Sequence, residues 1–147
     1  MSEMAASVNR LRGSGGGIGV TMGLQKAENT LLGQAVTGGF TLVTGSAVPI
    51  PNPYPLTVLV LGYILINWTN GAQTAVISPF IDGVQVQNLA VGPAATLASP
   101  ANVPICYTTL LGPNTSASGH IIDLRVAGGA ATTYNIQSFA NYVLFLN

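Results

Sequence analysis

Hydrophobic and polar positions are distributed unevenly along this chain. From Gly38 onward, short apolar runs rich in β-branched residues alternate with turn-forming clusters. The runs predict strands at 39–44, 56–69, 73–81, 84–90, 103–111, 120–127 and 132–146. Between them lie a proline-rich segment at 49–55, Asn70-Gly71, Asp82-Gly83, Gly92-Pro93, Gly112-Pro113-Asn114 and Gly128-Gly129. Asn-Gly and Asp-Gly tolerate positive φ at both central residues, which two-residue hairpins require. Strands at this spacing with no helices between them predict an all-β sandwich or barrel.

Leu56 to Ile66 is the most apolar stretch and carries no charge. It is about half the roughly 20 residues a membrane-spanning helix needs, with Pro55 before it and Asn67 after it. Val58, Val60, Ile64 and Ile66 are β-branched and favour a strand. A strand buried on one side alternates apolar with polar, because successive side chains point to opposite faces. Here both faces are apolar: Val58, Val60, Gly62, Ile64, Ile66 and Trp68 share one, and Leu59, Leu61, Tyr63 and Leu65 share the other. The last strand behaves similarly, with Tyr142, Leu144 and Leu146 opposite Val143 and Phe145. One face of each enters the core, and the other needs cover from a loop or a second subunit.

Residues 1–36 read differently, as an extended and mostly irregular arm ahead of a sandwich domain over 37–147. The arm holds the glycine-rich run GSGGGIG at 13–19. Leu24–Leu32 has the composition of a short helix stopped by Gly33, and Ser2–Leu11 of another. Neither is long enough to be stable alone.

Composition strengthens the case for association. Charged residues make up 5% of the 147, against 48% hydrophobic, and the formal net charge is zero. Glu3, Arg10, Arg12, Lys26 and Glu28 lie in the first 28 residues, leaving Asp82, Asp123 and Arg125 for the rest. A surface so poor in charge lacks the self-repulsion that keeps proteins dispersed. Arg10, Arg12 and Lys26 are too few for specific nucleic-acid binding and read instead as contacts made by the arm.

Candidate chemistry is sparse. His120 is the only histidine and Cys106 the only cysteine, so no intrachain disulfide can form. Cys106, His120 and Asp123 can be written as a triad, but residues three apart in a strand point to opposite faces. Asp82 and Asp123 are the only carboxylate pair outside the arm; the first is accounted for by its turn and the second by Arg125 two residues on. GSGGGIG is not a dinucleotide fingerprint, since Ile18 or Met22 stands where the third glycine would fall. Asn67-Trp68-Thr69 and Asn114-Thr115-Ser116 match the glycosylation sequon with no secretory signal ahead of them and are read as chance. No metal, cofactor, membrane or catalytic site is expected, and the protein is read as not an enzyme.

The stretches LTVLVLGYILINWTNGAQTAVISPFIDGVQV, GHIIDLRVAG and TYNIQSFANYVLFLN, in that order, resemble TNF/C1q-like jelly rolls of bacteriophage virion proteins. The resemblance covers roughly residues 40–147 and rests on the long apolar strand, the Ile81-Asp82-Gly83 turn, Gly119-His120 and the aromatic-rich last strand. It implies a jelly-roll fold and a virion structural role, as a homotrimeric capsid decoration or cement protein contacting the major capsid protein or other virion proteins. In trimeric relatives aromatic and aliphatic residues pack along the threefold axis, which by similarity suits Tyr63, Leu65, Tyr142 or Phe145. Two further readings stay open. One is a tail or fibre module binding a host-surface glycan through Trp68, Tyr54 or Tyr107. The other is a jelly-roll subunit that itself forms the shell.

Overall fold

The computed structural model describes residues 22–50, 55–68, 75–87, 89–91, 100–113, 119–128 and 133–146. GSGGGIG, Arg10, Arg12, the helix expected over Ser2–Leu11, Tyr54, Asn70-Gly71 and the Asn114 sequon lie outside them.

The described residues form strands and no helix. The strands are β1 (Met22–Asn29), β2 (Gln34–Val36), β3 (Thr41–Leu42), β4 (Val48–Ile50), β5 (Leu56–Trp68), β6 (Ala75–Ile81), β7 (Val84–Gln85), β8 (Leu89–Val91), β9 (Ala101–Leu111), β10 (His120–Ala127) and β11 (Tyr134–Leu146). All pairings are antiparallel and fall into two sheets. The first runs β1–β11–β5–β9, with β2 also on β11; the second runs β3–β10–β6–β7, with β4 also on β10 and β8 on β6. After β1 and β2 the chain crosses to the second sheet for β3 and β4, returns for β5, crosses for β6 to β8, returns for β9, crosses for β10 and returns for β11. This alternation is the wrapping of a jelly roll.

The core lies between the sheets. Val58, Val60, Ile64 and Ile66 of β5 and Ile136, Phe139 and Val143 of β11 face Ile77 of β6 and Ile122, Leu124 and Val126 of β10, all essentially without solvent contact. The apolar set of β11 switches parity, from Tyr134 and Ile136 to Phe139, Val143 and Phe145. A bulge explains it: the register with β5 slips between Ile136 and Ser138, so Gln137 is an extra residue. The Leu32 amide donates to the Gln137 carbonyl at 2.8 Å. That bond sits where β1, which pairs with 139–146, gives way to β2, which pairs with 134–136. The break between β1 and β2 thus follows the bulge in their shared partner.

The helix expected over Leu24–Leu32 is strand β1 instead. Its local propensity is weak, and alternation decides: Gly23, Gln25 and Ala27 turn inward while Met22, Leu24, Lys26 and Glu28 turn outward, against a ladder of eight residue pairs on β11. Gly33 is still a stop, at φ +62°, but for a turn. Residues 22–36 of the arm are therefore part of the first sheet.

The Asp82-Gly83 turn behaves as the dipeptide predicts, with φ of 51° and 79° joining β6 to β7. Gly119, at φ 64°, leads into β10. A polar bridge ties the sheets together at mid-core: Asn141, fully buried on β11, donates through Nδ2 to the carbonyls of Ser46 at 2.9 Å and Ile122 at 3.3 Å.

Candidate assembly surface

The ladder registers place the outward residues of the first sheet in rows across four strands. From β1 through β11 and β5 to β9 the rows read Met22–Leu146–Thr57–Leu110, Leu24–Leu144–Leu59–Thr108, Lys26–Tyr142–Leu61–Cys106 and Glu28–Ala140–Tyr63–Pro104. Leu65 continues the apolar line of β5 beside Ser138. Four strands at about 4.8 Å and four rows at about 6.8 Å span on the order of 500 Å² including the polar positions, within the roughly 300–600 Å² of the largest and often functional patch on a monomer. Met22 is 46% exposed, Leu146 41% and Leu110 70%, and Leu59, Leu61, Tyr63, Leu65 and Leu144 are half-buried. Met22, Thr57, Leu59, Leu144 and Leu146 line a shallow depression of about 90 Å³.

Charge is confined to one corner of this face, with Thr57 and Thr108 as uncharged polar positions elsewhere on it. Lys26 Nζ donates to Glu28 Oε1 and the Tyr142 hydroxyl donates to Glu28 Oε2, each at 2.8 Å. The hydrogen bonds from Lys26 and then Tyr142 lower the Glu28 pKa. The same bonds raise those of Lys26 and Tyr142, by stabilising the protonated form of each.

The second sheet covers part of its outer face with its own chain. Phe80, 6% exposed, meets Phe40 edge-on with ring centroids 5.1 Å apart and lies under the Arg125 guanidinium at 4.3 Å. Arg125 in turn clamps Asp123 through Nε at 2.8 Å and Nη2 at 3.1 Å, the pairing expected from their shared face. Ser78 donates to the Gln87 carbonyl and the Val86 amide to the Pro79 carbonyl, which holds the 86–87 segment along the edge of β6. Leu42, Val84 and Ile121 of this sheet are exposed, at 45%, 65% and 38%, but they lie on three different strands, whereas the apolar residues of the first sheet stand in adjacent rows.

Of the residues singled out for subunit contact, Tyr63, Leu65 and Tyr142 share that face. Phe145 does not: it pairs with Val58 on the inward side and its ring fills the space left by Gly23, where a Cβ would collide with it. Strand parity separates Phe145 from Tyr142, and its aromatic character alone does not reveal this. Lys26 lies on the same face, bound to Glu28. Trp68 packs against Tyr134 at 6.1 Å between centroids, and Tyr107 turns inward against the core.

The triad residues have separate partners. Cys106 is exposed on β9 in the first sheet, and Asp123 is held by Arg125. His120 Nδ1 lies 2.6 Å from Asp82 Oδ2, and Nε2 lies 2.8 Å from the Gly112 carbonyl. The Asp82–His120 pair was not legible from spacing, because 38 residues separate them. Among the described residues no three His, Cys, Asp or Glu side chains group as metal ligands.

No family model matches the chain, and no curated protein does. Among solved structures it is similar to part of dimeric latent PorU from Porphyromonas gingivalis, with a TM-score of 0.56 at 14% identity, over 100% of this chain and 14% of that one. It also aligns with T=1 particles derived from infectious bursal virus, at TM-score 0.44 and 10% identity over 96% of this chain and 40% of that one. The VP2 subviral particle of infectious bursal disease virus gives 0.45 and 9%, over 96% and 42%. At these identities the likeness concerns the fold, and the chain spans only a minor part of each of these larger proteins.

Proposed function

We propose that the protein is a non-enzymatic structural subunit of a phage virion, a homotrimer joined through the outer face of its first sheet and serving as a capsid decoration or cement protein. One observation carries this reading: on the outer face of β1, β11, β5 and β9, Met22, Leu24, Leu144, Leu146, Leu59, Leu61 and Tyr63 stand side by side on three neighbouring strands, whereas the exposed apolar residues of the other sheet, Leu42, Val84 and Ile121, lie on three different strands. Burying a leucine or tyrosine side chain contributes about 1.5–3 kcal/mol relative to leaving it in water, so even a partial contact across these rows favours association. The low charge of the chain and its resemblance to phage jelly rolls support the virion setting. In that setting the major capsid protein is the partner of the segment that carries Arg10 and Arg12, while Lys26 lies on the face shared between subunits. A bound decoration protein stabilises a shell by mass action, because it binds the assembled lattice and not its dissociated subunits.

The test has two parts. Light scattering on the purified protein should give three times the chain mass, and Tyr63→Asp should lower it. Addition to undecorated phage heads should then raise the temperature at which the shell opens. Trimers that bind a bacterial polysaccharide and ignore heads would replace cementing with the fibre reading; closed particles formed by the chain alone would replace it with the shell reading.

A further inference from the structure

His120 opens β10 with its side chain largely buried, and both ring nitrogens face acceptors: the Asp82 carboxylate and the Gly112 carbonyl. A neutral imidazole has one N–H and can satisfy only one of them, whereas the imidazolium satisfies both. We propose that protonated His120 is a latch closing one end of the sandwich, joining the turn after β6, the chain leaving β9 and the first residue of β10.

The two sides of the latch differ. Asp82 is pinned independently of the histidine, since its Oδ1 accepts the Ile121 amide and its own amide donates to the Ile121 carbonyl, both at 2.9 Å. When the ring loses a proton, the remaining one stays on Nδ1 beside the carboxylate. The bare Nε2 lone pair then faces the lone pairs of the Gly112 oxygen. Release therefore falls on Gly112 and the end of β9.

Burial pulls the histidine pKa down, but hydrogen bonds to Asp82 and Gly112 and the Asp82 charge outweigh it and raise the value above 6.5. Among the described residues Asp82 is the ionisable group facing the ring. β4 and β6 carry none, Asp123 and Arg125 pair with each other further along β10, and Cys106 and Tyr107 lie at least five residues before Gly112 on β9. Leu110, on the open apolar face, is two residues from Gly112, so opening the latch loosens one margin of that face. This last step rests on the assembly reading; the latch itself does not.

The experiment is a titration of the ¹⁵N-labelled full chain from pH 5.5 to 8.5. It reads the imidazole nitrogen shifts, amide exchange at Leu111 with the pinned Ile121 amide as the reference, both corrected for intrinsic rates, and the molecular mass. The latch predicts both nitrogens protonated at the acid end, a midpoint above 6.5 and a loss of protection at Leu111 of about tenfold or more through it. Asp82→Asn should move the midpoint down. A histidine titrating at or below 6.5, or protection at Leu111 unchanged through its midpoint, overturns the latch. A mass that falls with the same midpoint supports the coupling to assembly, and a trimer unchanged across the range overturns that coupling. A monomer throughout overturns the assembly reading and leaves the latch standing.

Discussion

Substituting Gly62 with alanine tests whether β5 and β11 are as closely apposed as the assembly face requires. Gly62 sits opposite Asn141 in the centre of the longest ladder. A Cβ built there lands inside the van der Waals envelope of the Ala140 carbonyl oxygen, with the carbonyl carbon at 3.0 Å and Asn141 Cα at 3.4 Å. These are backbone atoms, so no rotamer change relieves the contact and the strands must separate by about an ångström. Overpacking of this kind costs about 1–3 kcal/mol, and weakening one ladder hydrogen bond adds about 1. The expected loss is about 2–4 kcal/mol of unfolding free energy, measured by urea denaturation with the slope unchanged. Gly39→Ala is the control, since nothing lies within 4 Å of its added methyl and its φ is not positive. It should be neutral or stabilise by up to about 1 kcal/mol through the unfolded state. A loss below about 0.5 kcal/mol for Gly62→Ala would refute the close apposition.

Other substitutions probe the remaining parts. Asn141→Ala removes a donor from the buried Ser46 and Ile122 carbonyls, at about 1–3 kcal/mol each, so denaturation should show about 2–6 kcal/mol lost; Asn141→Asp should cost more, since a carboxylate cannot donate to either. Leu65→Asp, like Tyr63→Asp, puts a charge into a desolvated contact and should reduce the mass seen by light scattering with circular dichroism unchanged. The His120 interaction raises its folded-state pKa, so its stabilisation is fully present below 6.5 and lost as pH rises through the folded value. Thermal midpoints taken between pH 6 and 8.5 should therefore fall in the wild type and stay flatter in His120→Gln.

Much of the second half of the fold was legible because period-two alternation and turn dipeptides are local signals. Asp82-Gly83 and the Leu56–Trp68 strand needed no knowledge of their partners. The two apolar faces of β5 were equally visible, and the structure puts Val58, Val60, Ile64 and Ile66 inside and Leu59, Leu61, Tyr63 and Leu65 outside. Leu24–Leu32 reads locally as a helix because what makes it a strand is the ladder on β11, more than a hundred residues away, into which its weak alternation fits. Phe145 was misplaced for a related reason: aromatic character suggests contact, while only register tells which face makes it. The His120–Asp82–Gly112 contact depends on three chain segments meeting at one end of the sandwich, which no spacing in the sequence encodes.

The central claim is that the open face of β1, β11, β5 and β9 is covered by other copies of the chain. Sedimentation equilibrium of the purified full-length protein near pH 6.5, over a hundredfold concentration range, tests it most directly. The account predicts a species of three times 15.0 kDa whose mass holds as the protein is diluted to micromolar levels. A stable 15.0 kDa species at the highest concentration, with Leu59, Leu61 and Tyr63 still open to solvent, would contradict it.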